Sequence, residues 1–346
     1  MAQELRRTWG INSSFLVCNP AWRGLTEIDG FNLVPMPSRS SDELYSALSR
    51  LAVSHPAAVL LQLSPYGFDT NGSPFWLLKG LARWKNEVSA DRKLFTYFHE
   101  LFATGAFWRR AFWVSPLQRI CAREIARLSD VALTNTERYV ERLEKWDPAK
   151  KGLIPRMPVV SSVGELSPVP ELGRRSRRLV IWGSAEAKRE IYERHCKTVE
   201  AAVQTIGIKQ ILDVGNSWHG CPAQIGGVPI RIMGIMQPDK LSNQLANSVL
   251  AVFCYNPNYL GKSTMYAAFC AHGVPAICVP TRVVEDRTWD GISHGVHFVT
   301  SMPSSEDGVM KRLTQISKMA QIWYFEHRIS EHARVLARAI FGGVKA

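Results

Sequence analysis

Residues 249–280 carry the clearest structural signal in the chain and read VLAVFCYNPNYLGKSTMYAAFCAHGVPAICVP. Two apolar runs, 249–255 and 274–280, enclose a polar loop and a short segment with helical character. Ser263 or Thr264 can cap the start of that helix, and Gly273 suits the left-handed position at its end. The stretch therefore predicts a strand, a helix and a second strand, which is the repeating unit of a parallel α/β sheet.

The same alternation extends outward over most of the chain. It predicts strands at 15–20, 31–37, 58–64, 93–100, 131–136, 178–183, 210–215, 228–234, 249–255 and 274–280. The helical patterns between them cover 41–54, 74–88, 116–128, 138–146, 188–206, 238–247 and 263–272. Apolar runs without strict alternation are typical of parallel strands that helices cover on both faces.

A linker separates the two series of elements. Residues 150–178 contain Pro155, Pro158, Pro168 and Pro170, followed by a run of arginines, and prolines with solvated charge suit a connection between domains. We therefore predict an α/β protein with two Rossmann-like parallel-sheet domains facing a central cleft. The predicted domains are residues 1–165 and 166–346, and the final helix is expected to pack back on the first domain.

Composition limits the class of protein. The 346 residues are 46% hydrophobic and 21% charged, which excludes disordered and fibrous chains. No apolar run approaches the roughly 20 residues of a membrane span, and the first residues lack an apolar signal segment, so a cytoplasmic location is expected. The cysteines form no C-x-x-C pair, which disfavours structural zinc. The net charge of +12 favours a phosphate, an anionic lipid or nucleic acid as partner.

A phosphate site is predicted where the helix of residues 263–272 begins. A helix N-terminus offers unpaired N–H groups and partial positive charge to an anion. Lys262 adds a full charge there, and Ser263 and Thr264 add hydroxyl groups. The alternative is that Ser263 only caps the helix and that Lys262 is solvated. A P-loop is disfavoured, because its first glycine would fall on Asn256.

A second contact to the same ligand is predicted in the turn at Gly183 and Ser184, since glycine permits a close approach to the backbone. Lys188 follows one helical turn later, and Tyr255 ends the strand before the candidate phosphate helix. Packing alone also explains such a turn. Without a G-x-G-x-x-G sequence, a dinucleotide site is disfavoured.

In the first half of the chain, the strand of residues 93–100 ends in His99 and Glu100. The carboxyl ends of parallel strands face the ligand crevice in open α/β sheets. His99 can exchange a proton near neutral pH, and Glu100 is the carboxylate beside it. The alternative for His99 is a hydrogen bond to a core carbonyl. These two residues are the catalytic candidates.

The segment around His99 is rich in aromatic and basic residues. Residues 95–113 hold eight aromatic residues, and residues 76–128 hold ten basic against four acidic residues. This mixture suits an apolar acceptor, a membrane interface or single-stranded nucleic acid, with core packing as the alternative. We expect acceptor-side contacts and a peripheral position at the inner face of an anionic membrane, with nucleic acid disfavoured. The candidate acceptor contacts are Tyr66, Phe102, Trp108, Arg109 and Arg110.

Residues 261–275, GKSTMYAAFCAHGVP, together with Phe98-His99-Glu100, resemble the GT-B glycosyltransferases, particularly the group 1, family 4-like transferases of bacteria. The resemblance implies a hexosyltransferase-like, retaining enzyme in which His99 faces the transferred sugar. It implies a nucleotide-sugar donor on the second domain and a sugar, lipid-linked or small-molecule acceptor on the first. It also implies that no cofactor and no metal take part, and the sequence has no D-x-D motif.

The sequence departs from that family at the two glutamates that flank the donor helix. Aligned on Gly273, these positions hold Leu260 and Ala268. The chain also starts with MAQELRRTWG instead of a strand and a glycine-rich loop. These departures keep a second hypothesis open, a non-catalytic anion- or nucleic-acid-binding protein on a decayed GT-B fold. A GT-B epimerase is a further enzyme class that the residues allow.

Overall fold

A computed structural model of the chain describes residues 1–52, 57–86, 92–103, 108, 110–303 and 308–342, without the side chains of residues 110 and 111. The chain divides into two compact units. Unit 1 comprises Met1–Met157 and Ile329–Ala346, and unit 2 comprises Pro158–Arg328. Parallel strands alternate with helices in both units, which confirms the predicted α/β class.

In unit 1 the elements up to the boundary are α1 (Ala2–Trp9), β1 (Phe15–Val17), β2 (Glu27–Ile28), β3 (Phe31–Pro35), α2 (Ser41–Leu51), β4 (Ala57–Leu63), α3 (Pro65–Phe68), α4 (Phe75–Asn86), β5 (Arg92–Phe98), α5 (Arg110–Leu128), β6 (Val131–Thr134) and α6 (Glu137–Trp146). Unit 2 contains β7 (Ser176–Trp182), α7 (Ala185–Arg194), α8 (Cys196–Ile206), β8 (Gln210–Val214), β9 (Gln224–Ile225), β10 (Val228–Gly234), α9 (Pro238–Ala246), β11 (Ser248–Tyr255), α10 (Thr264–Ala271), β12 (Ala276–Pro280) and α11 (Val309–Phe325). The last helix, α12 (Ile329–Ile340), belongs to unit 1.

Unit 1 holds two three-stranded sheets, β1-β3-β2 and the fully parallel β4-β5-β6. Side chains of β5 alternate between its two faces, as strand geometry requires. Leu94 and Phe98 pack with α2, α4 and α5, whereas Phe95 and Tyr97 pack with α1 and α12. The helices thus bury both faces of this sheet and leave its carboxyl edge to carry polar residues.

Unit 2 is built on one six-stranded sheet of order β12-β11-β7-β8-β10-β9, in which only the short β9 is antiparallel to its neighbour. Strand β11 is buried along its whole length up to Tyr255. Helices α9, α10 and part of α11 cover one face, and helices α7 and α8 cover the other. A continuous apolar strand such as β11 requires this cover on both sides.

Several elements differ from the sequence prediction, among them the 17-residue helix α11, which was not predicted. Residues 188–206 form two helices, α7 and α8, because the backbone at His195 leaves the helical conformation (φ −124°, ψ 20°). Helix α5 begins at Arg110 and carries Pro116 inside it, so it is longer than the predicted 116–128. Helix α1 precedes β1, and β1 has only three residues, so unit 1 does not begin with the strand and glycine-rich loop expected from the resemblance.

Candidate functional site

The carboxyl edge of the unit 2 sheet contains a topological switch point. The chain runs outward from β7 to β8 and β10, and then returns to the other side of β7 to form β11 and β12. Strands β7 and β11 are therefore parallel neighbours, with Val180 opposite Ala251 and Ile181 opposite Val252. Ligands of open α/β sheets bind at such a point, beyond the carboxyl ends of the two strands.

Gly183 and Ser184 follow β7 at this point. The Gly183 N–H donates to the Val214 carbonyl oxygen (3.3 Å), and Gly215, with φ of +94°, lies so close that a Cβ there would be 2.4 Å from the Gly183 oxygen. Ser184 is exposed, and its Oγ accepts from the Ala187 N–H (3.3 Å), which makes it the N-cap of α7. Gly183 is thus closely packed against the neighbouring strand end, whereas Ser184 is open to solvent.

On the other side of the switch point, Tyr255 ends β11, and Lys262, Ser263 and Thr264 come after it. Ser263 is buried, and its Oγ caps α10 by accepting from the Tyr266 N–H (3.2 Å). Thr264 is exposed, whereas Lys262 is partly exposed with its Nζ 5.8 Å from the centre of the Tyr259 ring. Tyr255 is half-buried, and its ring stacks on Phe253. The structure therefore brings these predicted donor residues to the strand end beside Gly183 and Ser184.

Helices α7 and α10 lie on opposite faces of the sheet, and both begin at the switch point. Each N-terminus directs unpaired backbone N–H groups and partial positive charge toward the edge of the sheet. A helix N-terminus of this kind is a ready-made site for an anion such as a phosphate group.

Lys188 occupies a different environment from the one predicted. It is fully buried, and its ammonium group pairs with the equally buried Asp213, which also accepts a hydrogen bond from the Tyr192 hydroxyl. Burial, followed by the contact with Asp213, raises the pKa of Tyr192. Lys188 thus ties α7 to β8 from within the core. The exposed cation at the next position of α7 is Arg189.

His99 lies directly beyond β5 in unit 1, and its N–H extends the strand ladder to the Leu63 carbonyl oxygen (3.0 Å). Its Nε2 is 2.7 Å from Oε1 of Gln62, and its ring is 4.4 Å from the ring of Tyr97. Because that Gln62 oxygen can only accept, Nε2 carries the hydrogen in the neutral ring. Two neighbours therefore fix the ring of His99 at the strand end.

Glu100 is exposed next to His99. The pKa of Tyr139, near the start of α6, is raised to about 12, first by the burial of Tyr139 and second by the negative charge of Glu100. The carboxylate therefore lies on the α6 side of this edge. His99 and Glu100 both stay catalytic predictions.

The structure describes the side chains of three of the five predicted acceptor residues. Tyr66 is exposed, and its hydroxyl accepts from Nε2 of Gln118 (2.9 Å), whereas Phe102 is half-buried against Trp146. Trp108 is 72% exposed, which fits a surface contact better than core packing. Arg109 and the side chain of Arg110 lie outside the described residues.

Two side chains that the sequence did not single out organise these strand ends. Gln62 holds His99, and the buried Gln118 joins the Asn71 carbonyl, the Ala103 N–H and Tyr66. An amide inside an otherwise apolar helix face was the only local signal for Gln118. In the described ranges, no group of three or more His, Cys, Asp or Glu side chains could hold a metal ion. Among the described helices, none is long and apolar enough to cross a bilayer.

No protein-family model matches this sequence, and no curated protein matches it. Solved structures do match. The lipopolysaccharide outer core galactosyltransferase WaaB, in its apo form, aligns with 99% of this chain and 94% of its own (TM-score 0.57, 12% identity). An alpha-glucosyltransferase (AGT) in complex with UDP aligns with 98% of this chain and 94% of its own (TM-score 0.55, 10% identity). The same coverage holds for an alpha-glucosyltransferase in complex with UDP-glucose and DNA containing an abasic site (TM-score 0.54, 11% identity). The chain thus has the GT-B glycosyltransferase fold.

Proposed function

We propose that this protein transfers a sugar from a nucleoside diphosphate sugar, bound by unit 2, to a hydroxyl group of an acceptor bound by unit 1. The observation that carries the proposal is the pair of helix N-termini, of α7 and α10, at the switch point of the unit 2 sheet. The galactosyltransferase and glucosyltransferases with the same fold support it.

In this reaction the bond from the anomeric carbon to the diphosphate breaks, a bond to the acceptor oxygen forms, and the proton of that hydroxyl group passes to the departing diphosphate. Negative charge develops on the departing diphosphate. Lys262 and the N–H groups at the start of α10 stabilise that charge, with the hydroxyls of Thr264 and Ser184 as further donors. This set of donors supplies positive charge without a metal ion, and we propose a metal-independent reaction.

His99 acts on the transferred sugar in this proposal. With Nε2 donating to Gln62, the imidazole is held in one orientation and hydrogen-bonds or polarises the sugar at the strand end. Lys188 acts indirectly, because its buried pair with Asp213 fixes α7 against β8. Hexosyl transfer with retention of the anomeric configuration extends the proposal on the resemblance alone.

The exposed aromatic side chains of Tyr66, Trp108 and Trp113 favour an acceptor that is partly apolar, such as a lipid-linked sugar. We further propose that the protein meets this acceptor at a membrane surface. A sugar or another small-molecule acceptor would use the same strand ends.

The test is release of nucleoside diphosphate from a panel of nucleotide sugars, with and without candidate acceptors, and mass spectrometry of the acceptor. We expect one nucleotide sugar to be cleaved faster when acceptor is present and the acceptor mass to rise by one hexose. Binding of diphosphates without cleavage of any nucleotide sugar would contradict enzymatic transfer.

A further inference from the structure

The first half of α5 and Trp108, two residues before that helix, expose large apolar side chains to solvent. Trp108 is 72% exposed, Trp113 71%, Leu117 51%, Phe112 46% and Ile120 42%. Single exposed apolar residues are common, but several on one short segment mark an interaction surface. We call this set the aromatic face of unit 1.

The helix geometry makes these residues one surface. Trp113, Leu117 and Ile120 have the i, i+4, i+7 spacing that places side chains on one side of a helix. Phe112 packs edge-to-face on Trp113, with ring centres 5.4 Å apart. Gln118, Cys121 and Ile125, on the opposite side of α5, are buried. One side of α5 therefore packs into the core, and the exposed side is a separate apolar surface.

Two guanidinium groups meet at the ring of Phe102, one from α5 and one from α6. Arg119 and Arg142 both lie over the ring of Phe102, 4.4 Å and 5.6 Å from its centre. Both side chains are exposed, and in the part of the chain that the structure describes neither is within ion-pair distance of a carboxylate. Further along α5, by contrast, Glu124 pairs with both Arg123 and Arg127. Arg119 lies on the same helix as the exposed aromatic residues, and Arg142 joins it at Phe102, so this part of α5 carries positive charge without a paired carboxylate among the described residues.

We propose that the aromatic face, with Arg119 and Arg142, docks unit 1 on an anionic phospholipid bilayer. This proposal deepens the proposed function by identifying the surface through which unit 1 meets a membrane-borne acceptor, and it rests on that function. Tryptophan rings settle at the headgroup level, and guanidinium groups bind lipid phosphates there. The net charge of +12 adds a general attraction to a negative surface.

Co-sedimentation of the full chain with vesicles tests the proposal. The vesicles are phosphatidylcholine alone or phosphatidylcholine with one third phosphatidylglycerol, at low and high salt. We expect binding to the anionic vesicles that high salt weakens. Trp113→Gln with Leu117→Gln should reduce binding at least tenfold, since both remove apolar side chains while preserving helix-forming residues. Arg119→Gln with Arg142→Gln should reduce it about 25-fold at low salt, roughly fivefold for each charge near the surface.

Two matched controls separate docking from general effects. Arg7→Gln with Arg174→Gln removes the same charge from exposed positions elsewhere, and Ile322→Gln removes an exposed apolar side chain of unit 2. Both should bind vesicles as the wild type does. Absence of wild-type binding to anionic vesicles, or equal losses in the controls, would overturn the proposal, and capture of another protein by wild type alone would point to a protein partner. The vesicle assay involves no sugar transfer, so it can fail while cleavage of a nucleotide sugar succeeds, or the reverse.

Discussion

Units 1 and 2 share parallel-strand architecture but differ in what they leave at the surface. In unit 2, helices cover both faces of one sheet, and charged groups such as Lys188 and Arg175 are buried with partners. In unit 1, a smaller sheet carries His99 at its edge, and α5 keeps an exposed aromatic face. This difference fits the roles proposed above, in which unit 2 binds the donor and unit 1 binds a larger, partly apolar acceptor.

The largest expected effect comes from breaking the buried ion pair of unit 2. Lys188→Met leaves the Asp213 carboxylate uncompensated in the core, which should lower the free energy of unfolding by about 3–5 kcal/mol. Urea unfolding measures the change. Lys262→Met, at an exposed helix start, is the control and should cost less than about 1 kcal/mol. Equal losses for the two variants would show that Lys188 is not a structural residue.

The next effect concerns catalysis in unit 1. His99→Ala should lower kcat about 100-fold or more while KM for the nucleotide sugar changes little, because the lost interaction belongs to the transition state. Gln62→Leu, which removes the partner of Nε2, should lower kcat less. If His99→Ala instead lowers the melting temperature and keeps the specific activity, His99 is a structural residue.

A smaller effect is expected at the candidate phosphate site of unit 2, where α10 begins. Lys262→Ala should weaken nucleoside diphosphate binding by about 1–3 kcal/mol, the range of a charge-assisted hydrogen bond. Isothermal titration calorimetry measures it. Lys209→Ala is the matched control, because this exposed lysine lies at the opposite, amino edge of the same sheet. Unchanged affinity in Lys262→Ala would remove Lys262 from the site.

The smallest effect is the pH dependence of unit 2 stability. Burial lowers the pKa of His272 and of His297, so the folded chain binds their protons less readily than the unfolded chain does. Their contribution to stability is complete above the ordinary histidine pKa of about 6.5 and is lost as the pH falls through the lowered values. Calorimetric melting between pH 7.5 and pH 5 should show this decline. His272→Gln should flatten it, and a decline of unchanged size in this variant would contradict the contribution of His272.

Local patterns predicted the elements around residues 249–280 closely. The predicted strand, helix and strand correspond to β11, α10 and β12. The prediction succeeded because the apolar runs and the helix-capping residues that determine these elements all lie within this short segment. The burial of Lys188 was not predictable in this way, since its partner Asp213 is 25 residues away in sequence, on strand β8. The adjacency of β7 and β11, which assembles the candidate donor site, depends on strand order, and no local signal encodes strand order.

The most direct test of the central claim, that the switch point of unit 2 binds a nucleoside diphosphate, is a thermal-shift panel. The wild type and Lys262→Ala are melted with nucleoside diphosphates of different bases, nucleotide sugars, pyrophosphate and heparin. We predict selective stabilisation of the wild type by the diphosphate of one base and its sugar conjugate, with a smaller shift in Lys262→Ala. Equal stabilisation by every polyanion, unchanged in Lys262→Ala, would contradict the claim and favour a non-catalytic anion-binding protein.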